Sequence, residues 1–362
     1  MPSPIVSVIM PVYNAEKYVG EALASLVRQT FDNFEILVVD DGSTDSSIKV
    51  VEGSDDPRVR IVRHSRNCGL AAARNTGLVA ARGAYIAWLD ADDVCHPSRI
   101  LDQVKYLESN ADLAMCGTWI KTFGRNAGEQ WRYPTDDSTV RATMLFNCAF
   151  ATSSVMLRRN VLSNNDVWFD ASFPLAEDYD LWERLLRIAR AGNIPRSYVS
   201  YRLHIGQTSA NAIMRMRLGK WRVQERQLRR LGLLPSAQEQ DIHTRLGFHQ
   251  YAEDDQFIER AKSWLERLAE ANRATAVYPS AAFEYVLFTK LVGVCGGARK
   301  KPAYALKLLS SSPLAQRVRL TDKHRIHLLA RCLFGPFVRP LMRWIRPDRV
   351  HASDAATEDV KN

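Results

Sequence analysis

The stretch Tyr85-Ile-Ala-Trp-Leu-Asp90-Ala91-Asp92-Asp93 decides how this chain is read. An apolar run of strand length passes directly into three carboxylates within four residues. Carboxylates so crowded repel one another and raise each other's pKa. A hard, oxygen-seeking cation such as Mg²⁺ or Mn²⁺ relieves both effects and keeps coordination positions for phosphate oxygens. The competing reading is a solvated strand-to-loop turn whose aspartates cap the next helix. The choice depends on the neighbouring segments.

Upstream of this stretch, short β-branched runs alternate with helical patterns. Residues 5–10, 34–39, 59–62 and 85–89 read as strands, each followed by a helix-like segment. Such alternation predicts an α/β fold, a Rossmann-like, mostly parallel sheet flanked by helices. Ligands of open α/β sheets bind outside the carboxyl ends of the strands. The polar clusters fall there: Pro11-Val12-Tyr13-Asn14, Asp40-Asp41-Gly-Ser-Thr-Asp45, and Asn67-Cys-Gly-Leu-Ala-Ala-Ala-Arg74-Asn75-Thr-Gly77. Four successive loops that carry Asp40, Asp41, Asp45, Arg74, Asp90 and Asp92 favour one binding crevice over unrelated turns. Residues 153–158 and 197–204 read as further strands. The segment from Leu175 opens an amphipathic helix whose first turn holds Glu177, Asp178 and Asp180; the helix macrodipole alone would favour acids there.

The 362 residues suit a larger α/β domain plus an appendage, expected as residues 1–210 and 211–350 with a loose tail at 351–362. With 46% hydrophobic and 25% charged residues, composition excludes a largely disordered chain. The six cysteines show neither CxxC pairs nor zinc-ligand spacing, so free thiols in a reducing compartment are expected. Neither a secretory signal nor a membrane span is read; the nearest apolar stretch, 281–297, is broken by Glu284 and Lys290. Charge is unevenly divided. Residues 1–210 hold 22 Lys/Arg against 25 Asp/Glu, and residues 211–362 hold 27 against 15, so the excess of +9 lies in the second half. An anionic partner is expected for that half.

In order and spacing, these motifs resemble the inverting family 2 glycosyltransferases of the GT-A fold. The resemblance covers about the first 205 residues, through Leu89-Asp-Ala-Asp-Asp93, Glu177-Asp178-Tyr-Asp-Leu-Trp182 and Tyr201-Arg-Leu-His204. It implies that Pro11, Val12, Tyr13, Asn14 and Asp41 hold the base and ribose of a nucleotide-sugar donor. Asp90-Ala91-Asp92 would be the DxD motif, Asp92 ligating Mn²⁺ or Mg²⁺ and Asp90 facing the ribose. Arg74 is implied near the nucleotide, Asp178 as catalytic base with Glu177 orienting it, and His204 at the diphosphate or acceptor. His204 could equally be a structural histidine.

The chemistry calls for the same residue types. Displacing a nucleoside diphosphate from an anomeric carbon needs a cation against the leaving charge and a carboxylate to accept the attacking hydroxyl's proton. Transfer from a donor, UDP-linked by family expectation, to a glycan or lipid-linked acceptor in bacterial surface polysaccharide assembly is the function implied. A non-catalytic nucleotide-sugar-binding regulator or scaffold is the alternative.

Beyond residue 211 the chain reads as basic, helical and outside the resemblance. The segment Arg331–Arg346 interleaves arginines with Leu, Phe, Trp and Ile, as an interfacial element at the inner face of the cytoplasmic membrane would; an ordinary packed helix is the other reading. Absence of a recognised module argues against nucleic acid.

Overall fold

In a computed structural model, the described residues are 3–125, 128–204, 213–251, 255–297 and 302–318. Arg331–Arg346 and the tail at 351–362 lie outside them. The chain divides into two compact units, Met1–Arg230 and Leu231–Asn362.

The first unit is built on one sheet of nine strands, in the order β3-β2-β1-β4-β8-β6-β9-β5, with β7 against β6. Strands β1 (Val6–Val12), β2 (Phe34–Asp40), β3 (Val59–Arg63) and β4 (Tyr85–Trp88) form a parallel half. Their connections run through α1 (Val19–Val27), α2 (Ser47–Glu52) and α3 (Leu70–Ala80). Every residue of β1, β2 and β4 is buried, as expected for strands covered by helices on both faces. Pro11 sits in β1 beyond the Ile9–Trp88 pair where the β4 ladder stops, so its missing N–H is tolerated there.

Past β4 the sheet is mixed rather than mostly parallel. Strands β5 (Val94–Cys95), β6 (Leu113–Gly124), β7 (Gln130–Trp131), β8 (Met156–Arg158) and β9 (Arg190–Leu203) follow, with β8 antiparallel to both β4 and β6 while β6 and β9 run parallel. The strand expected over 153–158 is a 3₁₀ turn, Thr152–Ser154, followed by a short β8. Side-chain bonds override β propensity here: the Ser154 hydroxyl bonds the Ala151 and Thr118 carbonyls. Helices α4 (Arg99–Ser109), α5 (Asp137–Met144), α6 (Arg159–Ser163) and α7 (Glu177–Leu185) complete the layers.

Helix α8 (Ile213–Arg230) corrects the expected boundary after residue 210, because it belongs to the first unit. Arg226 binds buried Asp180 and Glu183 of α7 at 2.7 Å each, and Arg230 adds a bond to Glu183. Gly219 lets the helix approach closely, since a Cβ there would lie 2.9 Å from that of Ala176.

The second unit contains α9 (Ala237–Phe248), α10 (Asp255–Thr275), α11 (Ser280–Gly297), α12 (Pro302–Ser311) and α13 (Pro313–Arg317). A Ser236/Glu239 capping box starts α9. Helix α11 contains the apolar stretch of 281–297 and buries Phe283, Leu287, Leu291 and Val294. A helix apolar all round must be enclosed, and among the described residues none is long and apolar enough to cross a membrane.

Candidate active site

The carboxyl ends of β1, β2 and β4 meet the end of β9, and the expected residues gather there. Beyond β4, Ala91 is buried as the spacer that separates Asp90 from Asp92. The two carboxylates stay partly open to solvent, 29% and 28% exposed in their side chains. His204, arriving from β9, places Nε2 3.0 Å from Asp92 Oδ2 and packs its ring on Tyr18. Burial, then the charge of Asp90, raises the Asp92 pKa, with His204 opposing. Asp93 is fully enclosed and pushed well above the usual carboxylate range by burial; its Oδ1 accepts the Arg202 backbone N–H at 2.9 Å.

A cavity of about 630 Å³ opens beside this group, bounded by the β1–α1 loop, Asp45 and the last residues of β9. Tyr13 is half exposed and Asn14 adopts φ +49°, with its Oδ1 accepting the Thr44 N–H at 2.8 Å and so fastening the first loop to the second. Pro11 and Val12 are buried strand residues, so the segment's open surface belongs to Tyr13 and Asn14. Asp41 is 3% exposed. Its oxygens accept the N–H groups of Cys68 and Gly69 at 2.8 Å and face His64 Nδ1 at 2.7 Å. Asp41 thereby ties its own strand end to the loop at Cys68 and Gly69.

Arg74 is likewise turned inward. It is 3% exposed, lies over the Phe169 ring, and donates to Glu177 Oε1 at 2.9 Å and to Asp90 Oδ1 at 3.2 Å. One rigid guanidinium thus joins the Asp90–Asp92 segment to the helix that follows Ala176. Burial raises the Glu177 pKa while Arg74 pulls it down. Asp178, next along, is half-buried; its Oδ2 accepts from Thr152 Oγ1 at 2.7 Å and its Oδ1 from the Tyr179 N–H at 2.6 Å. Lys220 of α8 donates to Asn147 at 2.9 Å; burial lowers its pKa, and the nearby Asp178 opposes that shift.

Several of these residues escape sequence reasoning. Arg202 lies two residues before His204 in a motif already singled out. It donates to the Asp92 carbonyl at 2.8 Å and to Glu21 at 2.5 Å, and strand alternation could have placed it beside His204. Thr152 and Lys220 gave no local signal. Free thiols are found at Cys68, Cys95, Cys116, Cys148 and Cys295 among the described residues.

Asp92 Oδ2 and His204 Nε2, 3.0 Å apart, are side-chain atoms that a divalent ion can take as ligands. Burial first and the Asp90 charge second raise the Asp92 pKa, and a bound cation would oppose both. Asp178, in the first turn of α7, adds a third carboxylate whose charge reaches Arg74. Fold and site together define a glycosyltransferase of the GT-A type.

The Glycosyl transferase family 2 model matches residues 7–165. A Haemophilus influenzae "Uncharacterized glycosyltransferase" is 34% identical over 219 residues, 57% of this chain and 68% of its own length. The "UDP-Glc:alpha-D-GlcNAc-diphosphoundecaprenol beta-1,3-glucosyltransferase WfgD" of Escherichia coli is 31% identical over 209 residues, 58% of this chain and 80% of its own. S. aureus TarS 1–349 in complex with UDP superposes with a TM-score of 0.52 at 19% identity, over 83% of this chain and 91% of that one, and shows a common fold. The chain belongs to glycosyltransferase family 2.

Proposed function

We propose that this glycosyltransferase moves a sugar from a UDP-sugar to a hydroxyl of a lipid-linked glycan, with inversion, in bacterial surface polysaccharide assembly. The observation that carries the reading is the Arg74 bridge. One guanidinium holds Asp90, at the donor side, and Glu177, beside Asp178, across a single crevice. The E. coli relative's name, with its UDP-Glc donor and diphosphoundecaprenol-linked acceptor, supports both substrate classes.

Tyr13 and Asn14 line the approach for the nucleotide, and Asp92 with His204 would hold Mn²⁺ or Mg²⁺. When bound, that ion supplies positive charge to the departing diphosphate. Asp178 Oδ2 takes the proton of the acceptor hydroxyl as its oxygen bonds to the anomeric carbon. The bond from that carbon to the diphosphate breaks on the opposite face, and the nucleoside diphosphate leaves with the electron pair. Thr152 orients the base, and Arg74 draws the Glu177 pKa down against its burial. The single displacement inverts the anomeric centre. The first unit carries donor binding and catalysis, and the basic second unit serves the acceptor and, through residues 331–346, attachment to the inner face of the cytoplasmic membrane.

Titration calorimetry of UDP with Mn²⁺, then with EDTA, tests the donor side in wild type and Asp92→Ala. Binding that needs the ion and is lost in the variant is the expected outcome. Binding indifferent to both sinks the assignment of Asp92.

A further inference from the structure

Helix α8 has a second face that its packing on α7 leaves outward. Met214 and Leu218, one turn apart, are 76% and 63% exposed, and Ile213 before them is 50% exposed. Large apolar side chains placed so close together in water call for an occupant. Arg215, Arg222 and Arg229 are exposed and recur every seven residues, so they form one stripe beside that apolar pair. Across 213–230 seven Lys/Arg stand against Glu225 alone. The acids of α7 neutralise Arg226 and Arg230 on the inward side. Arg222 stacks over Phe173 at 4.2 Å and donates to the Ser172 carbonyl, and Arg229 pairs with Glu225; both remain at the surface. Apolar side chains flanked by arginines on one helix face match the headgroup boundary of an anionic bilayer.

The position of this patch bears on turnover. Leu218 is adjacent to Gly219, which abuts Ala176, two residues before Asp178, and Lys220 carries the same helix on to Asn147. The apolar patch and the candidate base therefore lie on two helices in direct contact, with Leu218 one residue before the close approach at Gly219.

We propose that the outer face of α8, centred on Met214, Leu218 and Arg215, docks on an anionic phospholipid surface and so presents Asp178 to an acceptor hydroxyl carried on a lipid. The proposal rests on the lipid-linked acceptor reading, and it assigns membrane contact to α8 itself. Docking by α8 sets the height of the base above the bilayer.

The test places a photo-reactive benzoylphenylalanine at position 218 of the full chain and irradiates it with vesicles of phosphatidylglycerol and phosphatidylcholine. Circular dichroism melting confirms the fold, and UDP titration runs in parallel. A lipid adduct on the peptide spanning 213–222 is expected. It should fall roughly fivefold or more in pure phosphatidylcholine or at about 0.5 M salt, and Met214→Ser in the same chain should weaken it further. The absence of a lipid adduct overturns the proposal, as does an adduct between two copies of the chain, which would make this face a self-association surface. A lipid adduct without UDP binding leaves the surface in place and removes the transferase reading, so the two fail separately.

Discussion

Arg74 offers the most decisive perturbation, because one side chain is asked to hold both halves of the site. Its guanidinium is 3% exposed and lies 2.9 Å from Glu177 and 3.2 Å from Asp90. At an effective dielectric near 20, unit charges about 3–4 Å apart interact by about 4–5 kcal/mol. Removing one partner of a buried pair typically costs about 3–5 kcal/mol, mostly because the other charge is left uncompensated. Arg74→Met keeps most of the volume, so the loss should fall in that range. Glu177→Gln should cost less, since Arg74 retains Asp90. Arg74→Met/Glu177→Gln should recover about 2–3 kcal/mol relative to the sum of the single losses, as coupled neighbours do.

Urea unfolding followed by tryptophan emission suits the measurement, because Trp88 and Trp182 pack edge-on against Phe169, the ring beneath Arg74. The pH dependence gives a second check. Burial already raises the Glu177 pKa, and without the guanidinium it rises further. The folded variant then holds a proton that the unfolded chain releases above its ordinary carboxylate pKa. Its stability is therefore retained at acid pH and lost as pH rises through the raised value, and the deficit against wild type widens as pH rises above the ordinary carboxylate range. Single losses that add to within about 0.5 kcal/mol, or an Arg74→Met loss below about 1 kcal/mol, would refute the bridge.

Further outcomes follow from other positions. Asp178→Asn should lower turnover by about 10²–10⁴ while UDP affinity stays within about twofold, measured by product formation and calorimetry; equal turnover would remove Asp178 as the base. Gly42 holds φ +74° with an added Cβ 2.6 Å from the Arg66 backbone, so Gly42→Ala should cost about 1–3 kcal/mol in thermal unfolding. Lys290 is buried in α11, its pKa lowered to about 8 from 10.5, with Nζ donating to the Leu246 carbonyl. Its folded pKa lies below the unfolded one, so protonation penalises the fold fully below about pH 8, and stability recovers as pH rises towards 10.5. Lys290→Met should abolish that recovery, and an unchanged pH profile between 8 and 10.5 would contradict it.

Much of the first unit could be read from local chemistry. The apolar runs at 34–39, 59–62 and 85–89 became β2, β3 and β4 with ends shifted by a residue or so; β2 and β4, fully buried parallel strands, need continuous apolar sequence, and β3 is a partly buried edge strand. The turn at Thr152–Ser154 was misread because its hydroxyls bond to carbonyls outside the segment. The boundary after residue 210 was misplaced because nothing within 213–230 announces that Arg226 has partners in α7.

The amino-acid sequence by itself determined the alternation of strands and helices, the loops that hold polar residues at strand ends, and the identity of Asp90, Asp92 and Asp178 as groups worth testing. Those properties are encoded over a few residues, in side-chain periodicity and in carboxylates too crowded to stand without a counter-charge. Only the tertiary structure decided that Arg74 faces inward between Asp90 and Glu177, that His204 meets Asp92 across 112 residues, and that Asp41 is spent on its own loop. Such pairings depend on which distant segments the folded sheet brings within hydrogen-bonding reach, and local sequence carries no trace of them.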